Sequence, residues 1–119
     1  MQTFAEKVKE IPISFSDQIK KPFLKASEII RQSKDPKCVG HFSDGNGAFC
    51  VQGTIMHYLG WDGKDEWSVW HSKPYNEMME LLNNDEKLRQ KLAVKNNGMF
   101  GNKEESFAEI ADWLESQGL

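Results

Sequence analysis

The sequence predicts an α-rich α+β fold, with about five helices around one core and one small β-hairpin. Apolar residues recur at three- and four-residue spacing in several separate stretches, the signature of helices with one buried face. Pro, Gly and Asn fall between those stretches, where chains stop and turn. A single Gly-rich turn, Ser43-Asp44-Gly45-Asn46-Gly47, separates two short apolar runs and predicts the hairpin.

The chain of 119 residues is about one domain's worth. Folding at that size hides roughly two thirds of the surface of the unfolded chain, so a core forms without disulfides or metal. With 28% charged and 39% hydrophobic residues, the composition is globular. Residues 1–20 read as an N-terminal arm or short helix. Phe4 to Glu10 has helical character, Pro12 interrupts, and Ile11 to Phe15 alternates like a strand. Residues 21–119 read as a single globular helical domain.

The first helix of that domain opens at Pro22 and places Phe23, Ala26 and Ile30 on one face, with Leu24 and Ile29 beside it. It stops near Ser33, because Pro36 biases Asp35 away from helical angles. The hairpin follows, with Cys38 to Phe42 facing Ala48 to Cys50. The next helix runs from about Cys50 to Leu59, with Val51, Ile55, Tyr58 and Leu59 in register and Gly60 ending it. After a Trp-rich link, Pro74 opens a helix with Tyr75, Met78, Leu81 and Leu82 inward. Asn83 and Asn84 break it, and Asn84 reads as the N-cap of a short helix carrying Leu88 and Leu92. Asn96-Asn97-Gly98 closes that helix. The last helix has a capping box, Ser106 with Glu109, and a buried stripe of Phe107, Ile110, Ala111 and Leu114, with Gly118 after its last turn.

Charge and apolar patterning narrow the function classes. No apolar run approaches the ~18 residues of a membrane span, and the N-terminus lacks the apolar stretch of a signal peptide. The expectation is a cytoplasmic protein with no membrane partner. Its two cysteines, Cys38 and Cys50, then stay as thiols, although a hairpin would also let them pair. Residues 1–37 carry eight Lys/Arg and five Asp/Glu, while residues 38–119 carry seven and thirteen. The larger, acidic part disfavours a phosphate backbone.

The stretch from His41 to Trp61 holds one of the two cysteines and two of the three histidines. On a helical wheel with Cys50 at 0°, Tyr58, Val51, Ile55 and Leu59 fall at about 80°, 100°, 140° and 180°, and His57 at about −20°. Cys50 and His57 therefore sit at the edge of the buried face. A helix start lowers a thiol's pKa, a histidine can act as base, and backbone N–H groups at the turn can hold an oxyanion. His57, two turns from Cys50, is out of reach, so His41 or His71 is the better partner. The stretch resembles papain-like and cell-wall endopeptidase hydrolases, which also start a helix at a nucleophilic Cys. The likeness covers about ten residues, and no β-rich segment follows to carry the usual His. The bland reading is a small core residue, with Gly53 admitting another backbone.

A broader resemblance spans residues 23–114. The helix from Phe23 to Arg31, the run from Gly47 to Trp61 (GAFCVQGTIMHYLGW), and an Asn-rich break before Ser106 to Glu115 (SFAEIADWLE) occur in that order. The chain resembles a family of small uncharacterised bacterial and phage proteins with a Cys-x-x-Gly helix and a C-terminal Phe-x-x-Ile-Ala helix. The matching positions are Cys50, Gly53, Gly60, Asn96, Phe107, Ile110 and Ala111. The sequence departs from the pattern at Asn97-Gly98, where Asn-Asp is usual. The resemblance implies a fold and brings no activity.

Trp61, Trp67 and Trp70, interleaved with acidic residues, offer an aromatic platform for a ligand or partner, or else fill the core beneath the link. The last helix resembles one helix of a helix-turn-helix, but acidic residues surround it. A basic surface from Lys20, Lys21, Lys25, Arg31, Lys34 and Lys37 is the remaining nucleic-acid candidate. No metal-ligand spacing or phosphate loop is present in the sequence, so neither a metal nor a cofactor is expected. The reading that follows is a non-catalytic interaction or ligand-binding module, free to dimerise. Its partner is another protein or a small ligand, bound between residues 38–50 and 61–71 by Trp61, Trp67, Trp70, Asp44 and Asn46. The alternatives are a nucleic-acid binder and a cysteine-dependent hydrolase using Cys50 with His41 or His71.

Overall fold

The structure, a computed structural model, describes residues 24–119. The expected arm or helix over residues 1–20 lies outside the described residues. Among the described residues, five helices pack around one core: α1 (Ala26–Gln32), α2 (Val51–Tyr58), α3 (Lys73–Leu81), α4 (Glu86–Asn97) and α5 (Phe107–Ser116). A 3-10 turn, Val69–His71, precedes α3. Among the described residues, no helix is long and apolar enough to cross a membrane.

The helices begin where capping chemistry allows. Ser72 caps α3 through Tyr75 N–H, and Pro74 sits in the first turn, where a missing N–H costs nothing. Ser106 Oγ accepts from Glu109 N–H at 3.1 Å, and Glu109 Oε1 accepts from Ser106 N–H at 2.9 Å, which closes the expected capping box. The cap of α4 is Asp85 rather than Asn84. Asn83 and Asn84 both take left-handed angles (φ 59° and 54°) and spend themselves breaking the chain, so the next residue supplies the cap. Gly98, at φ 68°, then ends α4, which at 12 residues is the longest helix among the described residues rather than a short one.

The core forms where the apolar faces meet. Ile29 and Ile30 of α1, Ile55 and Met56 of α2, Met78 of α3, Leu92 of α4, and Ile110 and Leu114 of α5 are fully buried or nearly so. Helix α2 is central. Every residue from Val51 to Met56 is buried, including the polar Gln52 and Thr54. Helix α1 is tied to α5 and to Leu119. Ser27 N–H donates to the Leu119 carbonyl at 3.2 Å, and Arg31 bridges Asp112 at 2.7 Å and Glu115 at 3.0 Å.

The predicted hairpin is not a two-stranded ladder. Phe49 instead makes single bridges to two segments, parallel to Lys37 and antiparallel to Ser43. Its N–H donates to the Pro36 carbonyl (2.8 Å), and its carbonyl accepts from Cys38 N–H (3.0 Å). The cause is local. Asp44 Oδ1 closes the turn by accepting from Asn46 N–H (2.7 Å) and Ala48 N–H (3.0 Å), so a side chain takes the Ala48 N–H that a ladder would return to the Asp44 carbonyl, while Asp44 N–H still donates to the Ala48 carbonyl (3.0 Å). The fold is therefore helical, with a wrapped loop where strands were expected.

Candidate functional site

Residues 38–50, the Trp-bearing link and the C-terminal half of α4 enclose a cleft of about 610 Å³. Loop residues Gly40, His41 and Phe42 form one wall, Glu66, Trp67 and Trp70 another, and Ala93, Asn96 and Asn97 of α4 a third. Cys50 and Gln52, at the start of α2, also line it. The volume lies within the range of small-ligand pockets.

The walls are held by polar side chains that bond one another. Glu66 Oε1 accepts from Phe42 N–H at 3.1 Å, and its Oε2 lies 3.7 Å from His41 Nδ1, which ties link to loop. Asn96, fully buried, is the central joint. Its Oδ1 accepts from Val51 N–H (2.9 Å), and its Nδ2 donates to the Cys38 carbonyl (3.0 Å) and to Asn97 Oδ1 (2.9 Å). Asn97 Oδ1 also accepts from Gly40 N–H at 3.1 Å. Gln52 Oε1 accepts from the Arg89 guanidinium at 3.2 Å, and that guanidinium lies 5.1 Å from the centre of the Trp70 ring.

Cys50 is the N-cap of α2, and its Sγ accepts from Gly53 N–H at 3.3 Å. The sulfur thus takes the place usually held by a cap oxygen. Burial outweighs that bond and pushes the thiol up to about 12. The wheel placed Cys50 at the edge of the buried face, whereas the loop folds over it and only 7% of the residue is exposed. The first N–H of α2 is taken by Asn96 and the third by Cys50 itself. Gly53 packs against the loop. A Cβ there would lie 1.9 Å from the Phe42 carbonyl oxygen.

The other expected site residues scatter. His41 lines the cleft and is exposed, while His71 ends the 3-10 turn, exposed and away from the lining. Trp67 and Trp70 line the cleft with 90% and 40% of their surface exposed. Trp61 is buried, its ring edge-on to Phe42 and Phe49, and its Nε1–H donates to the Lys64 carbonyl at 2.8 Å. Asp44 and Asn46 stand in the exposed turn, outside the lining; accepting the turn's N–H groups keeps the Asp44 carboxyl below its ordinary range. Burial raises the Cys38 thiol, and both cysteines are free.

From the sequence Asn96 is part of a helix stop and a position shared with the resembled family, and neither reading places it at the cleft. The one signal for it was an Asn doublet before Gly, since an Asn beside a helix end can cap a neighbouring element as well as its own. Among the described residues, no three His, Cys, Asp or Glu gather as a metal ion would require. No family model matches the chain, and neither a curated protein nor a solved structure matches it.

Proposed function

We propose that the chain is a non-catalytic binding module whose recognition surface is this cleft. The observation that carries the reading is Trp67, with 90% of its surface exposed on a cleft where Glu66, Asn96 and Gln52 are already engaged in hydrogen bonds. An exposed indole is costly to keep in water and favoured at binding hot spots. With Glu66, Asn96 and Gln52 engaged, recognition rests mainly on stacking and shape. A planar aromatic group, free or borne by a partner protein, fits that chemistry. The test is a set of planar aromatic fragments followed by amide chemical shifts. The expected changes centre on Gly40, Trp67, Ala93 and Asn97 and are lost in Trp67→Ala. Fragments that leave these amides unmoved, or that bind Trp67→Ala equally well, overturn the reading.

A second reading, thiol-dependent hydrolysis, is favoured by one observation: Cys50, His41 and Glu66 line the same cleft. Against it stand the raised thiol and the engaged N–H groups of α2. Rapid alkylation of Cys50 in native Cys38→Ser protein at neutral pH would favour hydrolysis over binding. Nucleic-acid binding has less support. Arg31 pairs with Asp112 and Glu115, and Lys37 pairs with Glu104, so two of the expected basic contacts are already neutralised.

A further inference from the structure

A second cleft, of about 240 Å³, lies where the end of α1 meets α2. His57 and Asp35 line it and form a dyad. Asp35 Oδ2 lies 2.9 Å from His57 Nδ1 and accepts from Thr54 Oγ1 at 2.5 Å. The protons around it can be assigned in turn. Asp35 N–H donates to Ser33 Oγ at 3.1 Å, Ser33 then donates to Thr54 Oγ1 at 2.7 Å, and Thr54 donates to the carboxylate. The carboxylate therefore meets His57 Nδ1 as an acceptor, so the ring nitrogen turned to Asp35 carries a proton and Nε2 is the one left for a ligand. Phe49 stacks on the imidazole at 4.3 Å and 10°, which fixes the ring plane. The His57 side chain is still 44% exposed, so the ring is not sealed from solvent.

We propose that this cleft is an oxyanion site, in which His57 Nε2 and Lys34 together hold a small carboxylate or phosphate. The acid form of the ligand gives its proton to the Nε2 lone pair. One O–H bond breaks, one N–H bond forms, and the new imidazolium N–H donates to the oxyanion while Nδ1–H stays on Asp35. The charged and titratable groups lining the cleft with His57 are Asp35, Lys34 and Tyr58. Asp35 balances the imidazolium, and Lys34, which has no ion-pair partner among the described residues, leaves one positive charge for the ligand. His57 also lies in the last turn of α2, where the helix end favours a cation.

The test is the imidazole nitrogen NMR spectrum of the full chain, with inorganic phosphate or acetate added at fixed pH and ionic strength. Saturable movement of His57 Nε2 to the protonated position, with His41 and His71 unmoved, is expected. A response to phosphate alone, acetate alone or both identifies the oxyanion; no response, or an equal response of all three histidines, overturns the site. Lys34→Ala changes an exposed side chain and should weaken the response about two- to fivefold, the worth of one exposed charge. An unchanged response in that variant also overturns the proposal.

Discussion

The carbonyl oxygen of Phe42 occupies the space that a side chain at Gly53 would need, 1.9 Å from where a Cβ would stand. One wall of the large cleft and the helix beneath it therefore touch backbone to backbone. Cys50 N–H donates to that same carbonyl at 3.0 Å, so the oxygen has little freedom to move aside. Gly53→Ala should destabilise the protein by about 3 kcal/mol, at the upper end of overpacking costs. A urea denaturation midpoint will read the change.

Asn96→Ala removes three hydrogen bonds and leaves Val51 N–H and the Cys38 carbonyl without their partner. Each buried polar group left unsatisfied costs about 1–3 kcal/mol. A total loss of about 3 kcal/mol or more is expected in chemical denaturation. Asn96→Asp should not rescue it, because a carboxylate keeps the acceptor for Val51 but cannot donate to Cys38.

The tryptophans should separate cleanly. Trp61→Ala empties a packed site and should cost about 3–5 kcal/mol. Trp67→Ala touches an exposed ring and should stay within about 0.5 kcal/mol of the parent. Paired thermal melts decide this, and Trp67→Ala unfolding the protein would remove the exposed platform from consideration.

Cys50 sets a dependence on alkaline pH. Its thiol ionises near 9 when unfolded and near 12 when folded, so between those values the native state binds the extra proton. Stability from this group is complete below about pH 9 and is lost as pH rises toward about 12. Parent and Cys50→Ala proteins, denatured with urea at pH 8 and pH 10, should show the larger alkaline loss in the parent. Native Cys50 should also resist alkylation until the protein unfolds, with the half-buried Cys38 reacting first.

Helix positions were legible in the sequence because their signals are local. Ser106 with Glu109, Pro74 after Ser72, and Gly98 after an Asn pair all act within a turn of their own helix. The wrapped loop was not legible. Asp-Gly and Asn-Gly turns fit a hairpin equally well until the Asp44 side chain takes the turn's N–H groups, and nothing local says that Phe49 bridges two segments. The burial of Cys50 is not legible for a related reason. A wheel describes one helix, whereas Cys50 is covered by residues that precede it. Trp61 and Trp67 have similar local surroundings, and only the tertiary fold sends one inward and the other out.

Asn96 also has a consequence for how the chain acquires its shape. The first N–H of α2 finds its acceptor 45 residues downstream, on a helix formed later in the chain. A nascent chain released only as far as α3 would contain all of α2 and lack the group that seats its first turn. Ordering of that turn should therefore wait for α4 to dock, coupling two distant segments into one cooperative step. The Val51 amide should exchange with solvent deuterium only when the whole domain opens, although it stands at a helix start, where amides ordinarily exchange first.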